Sequence, residues 1–442
     1  MAAARRRGRA RAAAARQLRL GALAARAGGR HPRHPLRPPP RREGLPGGHA
    51  HLDRRARGRR QRRRGGEGHP GAPVTDAQPI RLLDEAGEAV VTAENEPWRA
   101  IADELSTDDR LAMHGEMLRT RRFDVEAGHL QRQGKLGLWV PSLGQEGAQV
   151  GAAWAARPQD TLFPSYREHL IALHRGVDML QIIDIFRGAA HGGWSPTEVP
   201  GMRIYSLVIA THALHATGYA MGIGLDGASG TGDASADEAV MAFYGDGAAS
   251  QGDASEGLVF AASYDAPIVF FVQNNKWAIS VPSTRQSRFP LHERARGFGL
   301  AAAWVDGNDP LASFAVSRRM LDDARQGRPG YIEADTYRMG AHTTSDDPTR
   351  YRSRDEEEAW ARRDPIARLA AHLRSLGVDD AALAEQEQRA ADEAADMRRR
   401  ALEATAAASD DIFDHVYAEP HPLVAEQKAA LAAFEASFGS DA

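Results

Sequence analysis

Val240-Met241-Ala242-Phe243-Tyr244-Gly245-Asp246-Gly247 and, two dozen residues on, Ile268-Val269-Phe270-Phe271-Val272-Gln273-Asn274-Asn275 decide how this chain folds. Each is an unbroken apolar run of strand length that ends in turn-forming residues, the pattern of a strand buried on both faces. Pro267 precedes the second run. Between them, Ser250-Gln251-Gly252-Asp253 has the spacing of a capping box, and the small residues after it predict a helix through Tyr264. Strand, helix and strand in that order predict a right-handed crossover with parallel strands. Gly245-Asp246-Gly247 and Asn274-Asn275 then fall at the carboxyl ends of strands in one sheet, where such sheets bind ligands. The Asp246 carboxylate and the Asn275 amide are expected to face a common point. Two oxygens are too few to hold a metal unaided, but they suit magnesium that already carries two phosphate oxygens. Two plainer readings stay open on these residues. One is an ordinary strand-turn-helix with a capping aspartate. The other is a dinucleotide fold of a nicotinamide-dependent oxidoreductase, although Gly245-Asp246-Gly247-Ala248-Ala249-Ser250 lacks its third glycine.

The 442 residues suffice for one large α/β domain with helical extensions. The chain has no cysteine, which excludes disulfides, zinc thiolates and cysteine nucleophiles. Catalysis must rest on carboxylates, histidines, hydroxyls or a cofactor. No apolar run reaches the length of a membrane span. Charge is segregated: residues 1–70 hold 21 arginines against Glu43, Asp53 and Glu67, a balance of +18, so the other 372 residues carry −3 − 18 = −21. The body reads as an acidic, soluble, cytoplasmic protein with no call on nucleic acid or anionic membranes.

Residues 1–73 read as an arginine-rich extension too poor in apolar residues to bury a core, hence disordered. A nucleic-acid-binding arm, a transit peptide and an upstream extension translated from GC-rich DNA compete here. The absence of serine from residues 1–70 and the presence of only three lysines in the whole chain favour the last. Removing residues 1–73 is therefore expected to leave melting temperature and activity unchanged; a large fall in melting temperature would show the extension docking on the acidic body. Residues 74–105 read as an N-terminal arm, 106–376 as the α/β domain and 377–442 as a helical C-terminal extension. Ser106-Thr107-Asp108-Asp109 caps a helix carrying Met113, Met117 and Leu118. Pro310 to Gln326, Asp364 to Leu376 and the Ala/Glu/Arg-rich stretch from Asp379 to Ala408 predict further helices, the last on the surface.

Five further segments occur in order: Gln131-Arg132-Gln133-Gly134, Gly144-Gln145-Glu146-Gly147, Ser165-Tyr166-Arg167-Glu168-His169, Val305-Asp306-Gly307-Asn308-Asp309, and Tyr337-Arg338-Met339-Gly340-Ala341-His342-Thr343-Thr344-Ser345-Asp346-Asp347. Together with the GDG and NN pair, they resemble the alpha subunits of the thiamine diphosphate-dependent, decarboxylating component of 2-oxo acid dehydrogenase complexes, over roughly residues 80–435. The resemblance implies the thiamine diphosphate-binding fold, a mostly parallel sheet with helices on both faces. It implies Mg2+ held by Asp246, Asn275 and the backbone carbonyl of Trp277, and a cofactor bordered by Gly245, Asp246, Gly247, Ala248 and Asn275. Tyr166 and Arg167 would hold the diphosphate, a task that suits the guanidinium fork. Relatives often carry arginine where this chain has Gln273, an amide that can still donate.

The same resemblance assigns His342 to the diphosphate and to presenting the cofactor adduct to a lipoyl group, work that suits an imidazole titrating near neutral pH. The regulatory serine of some relatives is Thr343 here. Ser206 to Thr217 would lie near the thiamine ring, where relatives sometimes also hold K+; His212 and His215 receive no role. Tyr351 and Arg352 are expected to brace the His342 loop. The implied reaction is decarboxylation of a small-molecule 2-oxo acid with reductive acylation of a lipoyl domain of the dihydrolipoyl acyltransferase core. The glutamate that activates the cofactor would come from a beta subunit, in an α2β2 heterotetramer. Within the family, branched-chain acids are favoured slightly over pyruvate, with acetoin a further substrate of similar subunits.

Overall fold

The computed structural model describes residues 78–190, 192–405, 408–414 and 416–438. The arginine-rich extension, residues 1–73, lies outside them. A five-stranded, wholly parallel sheet organises the rest: β1 (Thr161–Phe163), β2 (Val240–Gly245), β3 (Ile268–Asn274), β6 (Ala301–Asp306) and β7 (Gly330–Asp335), in the order β1-β2-β3-β7-β6. The short β4 (Trp277–Ala278) and β5 (Val281–Pro282) form an antiparallel pair just past β3.

Side chains alternate across a strand, and the alternation sorts β2 and β3 into two cores. Met241, Phe243, Val269 and Phe271 join one core with Leu311, Phe314 and Val316 of the helix Pro310–Ala324. Val240, Ala242, Tyr244, Ile268, Phe270 and Val272 join the other, with alanines of the helix Thr211–Leu225 and Leu258 of the helix Gly252–Ser263. Both faces are covered, which is why these strands read as continuous apolar runs and why the fold is α/β.

The helix after β2 begins differently from expectation. It spans Gly252–Ser263, its N-cap Gln251 makes no side-chain cap bond, and a 3-10 turn Ala248–Ser250 precedes it. Ser250 Oγ instead lies 3.3 Å from Gln286 Oε1, and Asp253 accepts from Thr211 Oγ1 at 3.3 Å. The inserted turn withdraws the serine from capping geometry. By contrast, Ser106 and Asp109 form a capping box at the head of the helix Thr107–Arg132, with bonds of 3.1 and 2.9 Å.

Residues 80–90 are stitched to the sheet. Ile80 pairs with Val305 beside β6, and the amides of Leu82 and Leu83 both donate to the buried Asp309 carboxylate at 2.6 Å. This covers a sheet edge that would otherwise be open to pairing. Two other predicted helices run Pro365–Ser375, with Asp364 as N-cap, and Asp380–Glu403. The latter stops short of Ala408 and lays Leu383, Ala390, Ala394, Met397 and Ala401 against the core while its other face stays exposed. Among the described residues no helix is long and apolar enough to cross a membrane.

Candidate active site

Because β2 and β3 are parallel neighbours, the turns that follow them sit side by side. A cavity of about 250 Å³ lies there. It is bordered by Tyr166, Arg167, Gly245, Asp246, Gly247, Ala248, Asn275, Trp277 and His342, all the residues singled out from sequence. Gly247 has no room for a side chain: a Cβ would meet that of Ala278 at 2.8 Å. Two of the four non-glycine residues with positive φ among those described, Ala210 and Ile279, border this cavity, and a third, Lys276, lies in sequence between the bordering Asn275 and Trp277. Each such conformation costs about 1–3 kcal/mol, a strain that tends to gather at functional sites.

Asp246 is 3% exposed, and burial pushes its carboxyl up to about 6. It accepts one hydrogen bond, from Gln286 Nε2 at 3.1 Å. Asn274 and Asn275 divide their work. The Asn274 amide donates to the buried Glu333 at 2.7 Å and belongs to the scaffold, whereas Asn275 borders the cavity. Its Nδ2 donates to Gln145 Oε1 at 3.0 Å, and its Oδ1 accepts from the Trp277 N–H at 3.3 Å. The Trp277 carbonyl accepts from Arg338 Nη1 at 2.8 Å.

Arg167 forms no ion pair with Glu168 or Glu146. It is 5% exposed and donates to the carbonyls of Pro141 and His342, the latter at 3.0 Å. Glu146 pairs with Arg121. Glu168 is held by Ser165 N and Oγ at 2.6 and 2.7 Å and by Gln273 Nε2 at 2.7 Å. The amide proposed as a substitute phosphate donor is thus engaged with a buried carboxylate. Glu168 also borders the cavity, so a glutamate is present there after all, with both oxygens committed to the scaffold.

His342 sits half-buried between two guanidiniums. Arg167 Nη2 approaches its Nδ1 at 3.2 Å and Arg338 Nη1 at 3.4 Å. A guanidinium can only donate, so Nδ1 accepts and the imidazole proton resides on Nε2. Burial, Arg167 and Arg338 together hold the ring down at about 3. The expected titration near neutral pH is thereby moved well below it, and the neutral Nε2–H donor is what the site offers. Around it, Asp346 accepts from the His342 amide at 2.7 Å and from the Tyr351 hydroxyl, while Arg352 holds the carbonyls of Arg338 and Gly340. Tyr351 and Arg352 do brace the loop.

Gln145 and His212 are among the bordering residues that had no assigned role. Gln145 stood in a quoted motif, but its contact lies 130 residues away. His212 donates from Nε2 to the Phe243 carbonyl at 2.6 Å, leaving Nδ1 without a partner, and burial lowers its pKa. His215 is exposed.

A parallel sheet covered on both faces, with a cavity at the carboxyl ends of its strands that gathers a carboxylate, an amide and an imidazole, defines an α/β enzyme of the ligand-at-strand-end type. The chain belongs to the dehydrogenase E1 component family, whose profile matches residues 114–413. Enzymes of this family are oxidoreductases and generally depend on thiamine diphosphate. The 3-methyl-2-oxobutanoate dehydrogenase subunit alpha of Mycobacterium tuberculosis is 41% identical over 369 residues, 81% of this chain and 94% of that protein. The pyruvate dehydrogenase E1 component subunit alpha of Acholeplasma laidlawii is 36% identical over 332 residues, covering 73% and 92%. That of Bacillus cereus is 35% identical over 302 residues, covering 68% and 77%. Membership removes the dinucleotide-binding alternative.

Proposed function

We propose that this chain is the alpha subunit of a 2-oxo acid dehydrogenase that decarboxylates a branched-chain acid such as 3-methyl-2-oxobutanoate and passes the acyl group to a lipoyl domain. The observation that carries the reading is one cavity joining a desolvated carboxylate (Asp246), an amide (Asn275) and a neutral imidazole set between two arginines. That donor set fits a cation bridged to an anionic group. Among the described residues no cluster of three or more His, Cys, Asp or Glu could hold a metal, so Mg2+ here would need oxygens from its partner ligand. Asp246 and Asn275 would bind it, joined by the Trp277 carbonyl, whose oxygen keeps a second lone pair beside its bond from Arg338. Arg167 and Tyr166 would bind the diphosphate, and the His342 Nε2–H would donate to oxygens of the bound groups. What thiamine diphosphate supplies when bound is a carbon nucleophile for the 2-oxo carbon and an electron sink for decarboxylation.

A beta subunit fits what the cavity lacks. Its 250 Å³ is smaller than the usual ligand site, and Ile209 and Ile279 on its border are 37% and 54% exposed. A second chain laid over that apolar rim, in an α2β2 assembly, would close the site and bring the activating glutamate, since Glu168 is fully engaged. The branched-chain preference rests on the 41% relative covering nearly all of its own length, against 36% and 35% for the two pyruvate enzymes. Assay of the chain co-expressed with its beta subunit should give kcat/KM for 3-methyl-2-oxobutanoate above that for pyruvate by ~10-fold or more, the scale set by a few methyl groups in a pocket. The reverse order would assign the chain to pyruvate.

A further inference from the structure

The two ends of a side-chain amide differ in chemistry, and a backbone N–H decides which way Asn275 is turned. The Trp277 N–H can only donate, so the atom it meets at 3.3 Å is Asn275 Oδ1. The Asn275 NH2 therefore faces Gln145, which must present its own oxygen at 3.0 Å to receive it. Among the described residues Gln145 Nε2 is left with no acceptor, although Gln145 is only 1% exposed and borders the cavity. Native structures rarely keep a buried NH2 unpaired unless a ligand relieves it.

The turn that carries Gln145 is rigidly mounted. Gly144 N donates to Glu146 Oε2 at 2.8 Å, and Thr336 Oγ1 donates to the Gly144 carbonyl at 2.9 Å. Gly144 has φ +91°, and a Cβ there would meet the Tyr337 carbonyl oxygen at 2.3 Å. Glu146 is in turn fixed by Arg121 at 2.8 Å. A side chain mounted this firmly, bonded to a proposed metal ligand and holding an idle donor, has the features of a working part.

We propose that Gln145 is a positioning residue for the metal-bound diphosphate. It turns the Asn275 oxygen toward the cation and offers its own NH2 to an oxygen of the bound group. The inference rests on the reading of this cavity as a thiamine diphosphate site.

The test uses the full chain assembled with its beta subunit, titrated with thiamine diphosphate at a series of Mg2+ concentrations, alongside ligand-free melting curves. Gln145→Met removes both functions. The Mg2+ needed for half-maximal cofactor binding should rise by ~10- to 100-fold, while the ligand-free melting temperature holds or rises. Gln145→Glu keeps an acceptor for Asn275 but sets a carboxylate oxygen against the diphosphate. It should weaken thiamine diphosphate ~10-fold or more while needing no more Mg2+ than the parent. Parent-like binding and Mg2+ dependence in both variants would overturn the proposal. So would a Gln145→Met variant that melts lower yet binds normally. A parent assembly that fails to bind thiamine diphosphate with Mg2+ would overturn the cofactor reading itself, and this inference with it.

Discussion

Asp246→Asn is expected to abolish Mg2+-dependent thiamine diphosphate binding while leaving the ligand-free chain folded and, at neutral pH, more stable than the parent. The carboxylate is buried with one side-chain hydrogen bond and, among the described residues, no direct ion pair; desolvation outweighs the pull of Lys276 and Arg338, so the fold carries a desolvated charge. Burial raises its pKa from 3.8 to about 6. Two pKa units correspond to a cost on the order of 2–3 kcal/mol once the group is ionised. The sign follows from linkage. An acid whose folded pKa lies above its unfolded one stabilises the fold fully below pH ~4, and that contribution is lost as pH rises through about 6. The parent's ligand-free melting temperature should therefore fall across that window more than the variant's, and bound Mg2+ should reverse the loss. Melting curves from pH 4 to 8 with and without Mg2+ and cofactor check both halves. A variant that binds cofactor like the parent would remove Asp246 from the metal site.

His342→Ala, assembled with the beta subunit, should fold, bind cofactor at reduced affinity and lose most overall activity. The fold survives because no neighbour depends on the imidazole alone. Arg167 keeps the carbonyls of Pro141 and His342, and Arg338 keeps those of Trp277 and Ile279 together with the Tyr351 hydroxyl. What disappears is the Nε2–H donor. Acyl transfer to the lipoyl domain is expected to fall by ~100-fold or more, the usual scale for one proton-handling side chain. Decarboxylation followed with an artificial electron acceptor should fall less. Equal losses in the two assays would mean that His342 serves both steps alike.

The sheet was readable where strands are covered on both faces and absent where composition is neutral. Val240–Tyr244 and Ile268–Val272 announce themselves as apolar runs. β1 is only three residues long and β6 opens with three alanines, neither of which carries a strand signal. The docking of residues 80–90 was invisible because it depends on two backbone amides meeting Asp309, more than 200 residues later. In the site, Asp246 and Asn275 followed from position at strand ends. The neutral state of His342 did not, since it arises from guanidiniums 175 and four residues away in sequence. Gln145 stayed without a role for the same reason: its meaning lies in Asn275 and in a donor with no partner.

Whether this cavity holds thiamine diphosphate through a divalent cation is decided by titrating the alpha–beta assembly with thiamine diphosphate in saturating Mg2+ and again in excess chelator. Saturable binding at one site per alpha chain is expected with Mg2+, and its collapse when the metal is removed. Binding that ignores the chelator, or no binding with Mg2+ present, would contradict it.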